Sequence, residues 1–131
     1  MEPQEKILQT SLELFFKYGI KRVTMDDIAK ELGMSKKTIY HFYKEKDDLV
    51  NQLCEVEMQK QSVLFDKITL EVNNPIHEIM LISQKMREMM QHINPVFFID
   101  LQKYYPTAFS IFQKFKEECA FKDILRNVQE G

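Results

Sequence analysis

Residues 23–46 read VTMDDIAKELGMSKKTIYHFYKEK, and the reading of this stretch decides the fold. Thr24 is a good helix N-cap, and Asp27 stands three residues on, where a carboxylate reaches back in a capping-box arrangement. Ile28, Ala29 and Leu32 form an apolar face at helical spacing. Gly33 supplies a left-handed residue to end that helix. Ser35 caps the next one almost at once. The second helix displays Lys36, Lys37, Thr38, Tyr40, His41 and Tyr43, while Ile39 and Phe42 are expected to point back into the core. A helix, a glycine turn and a second helix make a helix-turn-helix pattern. In such a unit the N-terminal residues of the second helix meet base edges in the major groove.

Working outward, the chain has 131 residues, 29% charged and 44% hydrophobic, with three Gly and four Pro. That is ordinary globular composition. Few loop formers and no period-two alternation predict an all-α fold. The net charge is −2, which does not by itself point to nucleic acid. The distribution does: residues 17–46 hold eight Lys/Arg against four acids, a local balance of +4. The basic residues crowd the turn before residue 24 and the start and end of the second helix of the motif, where phosphates would lie.

The motif resembles the DNA-binding domain of the TetR family of bacterial transcriptional regulators. The matching residues are Leu14-Phe15 and Tyr18-Gly19, Thr24 with Ile28-Ala29, Leu32-Gly33 and Ser35. They continue through Thr38-Ile39-Tyr40, Phe42-Tyr43-Lys44, Lys46 and Leu49. The resemblance covers roughly the first sixty residues. It implies an all-α molecule with a three-helix helix-turn-helix head followed by a helical sensor body. The head is expected over residues 1–46, extending into the next helix to about residue 60, and the ligand-binding and dimerisation body over 47–131.

The resemblance also assigns roles. Thr24, the expected cap, would touch a phosphate as well. Ser35, Lys36, Lys37 and Thr38 are placed to reach bases or backbone, since Lys hydrogen-bonds guanine and the Thr methyl meets the thymine methyl. Tyr40 matches an aromatic that contacts DNA in the family, and His41 lies beside it. Tyr43 is expected in the core with its hydroxyl near a phosphate, and Lys46 resembles the family's phosphate-binding lysine. Glu45 stands where the family often has Ser, Asn or Asp, so the cap of the following helix looks weaker. Lys21 and Arg22 offer a further phosphate contact.

Along the rest of the chain, Glu5 to Tyr18 reads as the first helix, with Ile7, Leu8, Leu12, Phe15 and Phe16 as its buried stripe. Gly19 ends it, and Ile20 folds back on Phe15. Lys46 to about Val72 is one long helix, stopped by Asn73-Asn74-Pro75. Ile76 to Ile93 follows, with Ile76, Ile79, Met80, Ser83, Met86, Met90 and Ile93 expected on its inner side. Asn94-Pro95 breaks it. Val96 to Tyr104 is a short apolar helix, and Pro106 opens a last one to about Val128. In the family, small effectors bind inside the body. Adaptable Met and flat aromatic side chains suit such a pocket, and Met86, Met90, Phe98, Tyr105 and Phe109 are its candidates.

Cys54 and Cys119 are isolated and read as reduced core thiols. His77 and His92 are expected to face solvent without a metal cluster, and no cofactor is implied. There is no Gly-rich phosphate loop, HExxH or Ser/His/Asp pattern, so an enzyme is not expected. No signal peptide or membrane-length apolar run is present, which predicts a cytoplasmic protein. The function implied is a sequence-specific regulator: a ligand-responsive repressor that binds a palindromic double-stranded DNA operator as a homodimer. Family members continue for two or more further helices that form the dimer interface, whereas this sequence stops at Gln129-Glu130-Gly131, so the body is expected to be incomplete. The alternative is a helical interaction module whose helix-turn-helix no longer binds DNA.

Overall fold

The computed structural model describes the backbone of residues 2–130 and the side chains of residues 2–118. Among these residues there are seven helices and no strand: α1 Pro3–Tyr18, α2 Met25–Leu32, α3 Lys36–Phe42, α4 Lys46–Glu71, α5 Pro75–Gln91, α6 Val96–Tyr104 and α7 Pro106–Glu130. The all-α expectation holds, and the predicted breaks fall where they were read. Cys119 and Phe121 lie outside the residues whose side chains are described.

Local chemistry explains most boundaries. Pro3 opens α1, where its missing N–H costs nothing. Thr24 and Asp27 form both halves of a capping box on α2: the Asp27 N–H donates to Thr24 Oγ1 at 3.1 Å, and the Thr24 N–H to Asp27 Oδ2 at 2.9 Å. Gly33 ends α2 in the left-handed region at φ 68°. Ser35 Oγ accepts the Thr38 N–H at 3.1 Å and caps α3. At α4 the Glu45 N–H donates to Asp48 Oδ2 at 3.3 Å, so the weak residue at the cap is supported from within the first turn. Asn74 Oδ1 accepts from Ile76 and His77 and starts α5 at Pro75.

The α1, α2 and α3 helices form a compact head. Ile7 and Phe15 of α1, Ile28 and Ala29 of α2, and Ile39 of α3 meet at its centre. Burying each large side chain contributes roughly 1.5–3 kcal/mol. The α4 helix, roughly 40 Å long at 1.5 Å per residue, leaves the head and packs chiefly along α7. Leu49, Val50, Leu53, Cys54, Ile93, Phe97, Leu101 and Ala108 continue the same core without a gap. A second small cluster, Phe65, Ile82 and Phe115, lies further along α4.

The face expected of α5 is corrected in part. Met86 packs on the second cluster and Ile93, just past the helix, is buried, as expected. The buried residues of α5 itself, however, are Glu78 and Ile82, while Ile76, Met80, Ser83 and Met90 are exposed. Apolar residues occur on more than one side of this helix, so periodicity alone did not choose the face. The buried Glu78 accepts a hydrogen bond from Thr69 Oγ1 at 2.6 Å, which removes much of the cost of turning a carboxylate inward.

Candidate nucleic-acid interface and adjoining cavity

The outer surface of the head is α3. Lys36, Lys37, Thr38, Tyr40, His41 and Phe42 are all exposed on it, with Ser35 and Thr24 at the cap positions beside them. Capping orients two of these groups: the Ser35 and Thr38 hydroxyls lie 2.8 Å apart. Lys36 Nζ is 3.5 Å from Asp26 and 5.8 Å from the Tyr40 ring. This exposed pair contributes little to stability, so the ammonium is readily redirected to another anion. Asp27, fully exposed, is held below the usual carboxylate range mainly by the Thr24 N–H that donates to it.

Three expected placements change. Phe42, expected inside, is 37% exposed and packs edge-on against His41 at 5.4 Å. Tyr43 holds the core position expected of it, 5% exposed, but its hydroxyl accepts from Gln4 at 3.2 Å. Burial pushes that phenol up. The reason is the end of α3 at Phe42: Tyr43 is the extended C-cap residue, so its side chain departs from helical phase and turns under the helix.

Lys46 is the second change. Its half-buried ammonium donates to the backbone carbonyl of Ile20 and stands 5.7 Å from the Phe15 ring. Burial lowers its pKa, and the charge of Asp100 opposes that effect most strongly. Lys46 is therefore an internal tie between α4 and the loop after α1 rather than an outward phosphate clamp. Lys21 is the third: its ammonium donates to the Tyr104 hydroxyl at 3.0 Å and lies 4.1 Å from that ring.

These contacts belong to a junction that the sequence reading missed. Asp100 of α6, 7% exposed, accepts from the backbone N–H groups of Ile20 at 2.9 Å and Lys21 at 3.0 Å through one oxygen. The Asn94 N–H donates to the Phe16 carbonyl at 2.8 Å, and its side-chain amide to the Lys17 carbonyl at 3.1 Å. The start of α6 thus satisfies carbonyls that the end of α1 leaves orphaned. Gly19 fits because it has φ 88° and no Cβ, which would stand 2.7 Å from Val96 Cγ1 and 2.9 Å from Asp100 Oδ2. A signal was present: Asp100 is the one acid in the apolar run VFFIDLQKY.

Immediately behind this junction lies a cavity of about 190 Å³ between α1, α4, α5, α6 and α7. Phe16, Phe97, Phe98 and Phe112 wall much of it. Of the five predicted pocket residues only Phe98 lines it. Met86 packs on the second cluster, Tyr105 and Phe109 on the main core, and Met90 is exposed. Met89 takes the methionine role expected of its neighbour, because α5 is rotated from the predicted face. Cys54 borders the cavity, and burial pushes its thiol up to about 12. Among the described residues no group of His, Cys, Asp or Glu is placed to hold a metal ion, and no helix is long and apolar enough to cross a membrane. His77 and His92 are exposed, as expected.

Comparison with known proteins agrees with this geometry. Residues 7–53 match the family described as bacterial regulatory proteins, tetR family. The chain is 32% identical over 128 residues to the HTH-type transcriptional regulator YvaF of Bacillus subtilis, covering 94% of this chain and 65% of that protein. It is 41% identical over 54 residues to YerO of the same organism, also named an HTH-type transcriptional regulator, covering 41% of this chain and 19% of that protein. A Staphylococcus aureus HTH-type transcriptional regulator, SAB2452, is 28% identical over 83 residues, covering 63% of this chain and 44% of that protein. The chain thus spans less than two-thirds of the length of each of these relatives. No solved structure matches it. The matched segment takes in the whole of α2, α3 and their turn, together with most of α1 and the start of α4, and this helix-turn-helix segment is that of the tetR family of bacterial regulatory proteins.

Proposed function

We propose that this protein is a cytoplasmic DNA-binding transcriptional regulator, a repressor that dissociates from a palindromic operator when a small effector binds. The observation that carries the reading is the exposed surface of α3. It presents Lys36, Lys37, Tyr40 and His41 outward from a capped N-terminus while Ile39 and Tyr43 anchor it from beneath. Lys36, Lys37 and Thr38 sit in the first turn, where base edges are read, and Tyr40 and His41 in the next. Thr24 adds the exposed start of α2, a place suited to phosphate. In a two-fold dimer, half-sites would lie about 34–36 Å apart or at multiples of that spacing.

Effector response is supported by the position of α6. Phe97, Phe98 and Leu101 line the cavity, while Asp100 holds the backbone after α1. A ligand that favours a shifted α6 would change the set of the head, and its effect on DNA affinity would equal its preference between the two states.

The test is fluorescence anisotropy with DNA from upstream of the protein's own gene, titrated at several salt concentrations. A regulator that neutralises phosphates loses affinity with a log–log slope of about −0.9 per phosphate contacted. Lys37→Ala and Tyr40→Ala are expected to weaken binding without lowering the Tm, because both side chains are exposed. DNA affinity that is absent, or indifferent to salt and to both substitutions, would instead favour an interaction module without DNA binding.

A further inference from the structure

We infer that the cavity behind the α1–α6 junction takes a small lipophilic ammonium compound, one aromatic ring bearing a short alkylamine, with Glu57 as its counter-ion. The inference rests on the effector-responsive reading and names the chemical class of the effector. Three observations carry it.

The first is size. An apolar cavity of 150 Å³ holds a benzene ring, so about 190 Å³ accommodates one ring and a short chain. Larger drug-like molecules need roughly 300 Å³ or more.

The second is the lining. Phe16 and Phe97 meet edge to face at 5.0 Å, Phe97 and Phe98 at 5.2 Å, and Phe98 and Phe112 are tilted at 5.3 Å. This run of rings offers both apolar surface and π faces that attract a cation. The polar residues of the described lining are Glu57 and Gln61, one turn apart on α4, and it contains no Lys, Arg or His. Among the described residues an anion would be desolvated there with no counter-charge. A cation would find the Glu57 carboxylate, whose side chain is 22% exposed. Glu57 is paired at 3.4 Å with Lys60, a two-thirds exposed lysine, and such a pair is weak enough to be exchanged for a ligand.

The third is access. Leu12, Leu53 and Glu57 also line a wider cleft between α1 and α4. That cleft carries four carboxylates, Glu2, Glu5, Glu13 and Glu57, against the single ammonium of Lys60. A cleft of one sign raises the local concentration of opposite charge, so it steers a cation towards Glu57, which borders both spaces.

The experiment is isothermal titration calorimetry on the full chain with three probes of similar size: phenethylamine, its neutral isostere phenylethanol, and the anionic phenylpropanoate. Phenethylamine is expected to bind ~10-fold or more tightly than either, the lower end of what a charged hydrogen bond contributes. Glu57→Gln should erase that preference while leaving phenylethanol within about 2-fold. Lys60→Ala, which frees the carboxylate, should tighten phenethylamine by a few-fold, a gain that mere loss of folding cannot produce. Circular dichroism checks that both variants remain folded. Absence of binding by every probe, equal or tighter binding of phenylethanol or phenylpropanoate, or indifference to Glu57→Gln would each overturn the assignment. DNA anisotropy is run separately. Probe binding without salt-dependent DNA affinity would uphold the cavity assignment and overturn the regulator reading; DNA binding without probe binding would do the reverse.

Discussion

The contact most open to quantitative attack is Asp100. One carboxylate oxygen accepts two backbone N–H groups, from Ile20 at 2.9 Å and Lys21 at 3.0 Å, and the same charge offsets the desolvation of the Lys46 ammonium. Asp100→Ala leaves the buried Ile20 N–H without a partner, at about 1–3 kcal/mol, and removes a charged acceptor from Lys21. It also strips a half-buried lysine of its strongest opposing charge. Breaking a buried charged contact from one side costs about 3–5 kcal/mol, and that is the expected loss. Asp100→Asn keeps an oxygen for the two N–H groups and loses only the charge, so about 1–2 kcal/mol is expected. The assay is urea unfolding followed by far-UV circular dichroism at neutral pH, with the m-value held in common. For a chain of this length, about 1 kcal/mol corresponds to roughly 3–5 °C in Tm. A cycle with Lys46→Met should show coupling of about 1 kcal/mol or more. An Asp100→Ala protein within about 0.5 kcal/mol of the parent, or one matching Asp100→Asn, would refute the claim that this carboxylate ties the body to the head.

Other outcomes follow from the same geometry. Gly19→Ala should destabilise by about 2–5 kcal/mol, combining the positive-φ penalty with overpacking against Val96 and Asp100. Gly33→Ala, whose Cβ meets nothing within 4 Å, should lose only the about 1–2 kcal/mol of backbone strain; equal losses in urea unfolding would contradict the contact at Gly19. In a Cys119→Ser background, Cys54 should resist Ellman's reagent at pH 8 until denaturant is added, because its thiol is raised to about 12 and the thiolate is the reactive form; rapid native labelling would show the site to be open. Asp27 should titrate below 3.8 in carbon-detected NMR. Its folded pKa is depressed, so its contribution to stability is present above 3.8 and lost as pH falls through the folded value. Thr24→Ala should move that titration only part of the way back, since the Thr24 backbone N–H still donates; no movement would remove the hydroxyl from the cause.

What could be read along the chain was whatever depends on neighbours a few residues away. Thr24 with Asp27, Gly33, Ser35, Asn74-Pro75 and Asn94-Pro95 each specify a cap or a stop through contacts spanning about one helical turn, and the helices begin and end accordingly. The exposed candidates on α3 were legible for the same reason, because Ile39 marks the buried side of a helix too short to bury another. Phe42 turned out of the core where helical phase ends, while Tyr43 holds the core position expected of it. The inner face of α5 was not readable, since its apolar residues point several ways and the packing of α4 and α7 selects among them. Nor could one see that Lys46 turns inward to the Ile20 carbonyl, that Asp100 crosses eighty positions to reach Ile20, or that Glu57 borders a cavity walled by Phe16, Phe97, Phe98 and Phe112. The sequence by itself determined the helices, their caps and the surface offered by the head. Only the tertiary structure decided how the head is tied to the body and where the cavity lies, because those features depend on which distant groups become each other's partners once water is excluded between them.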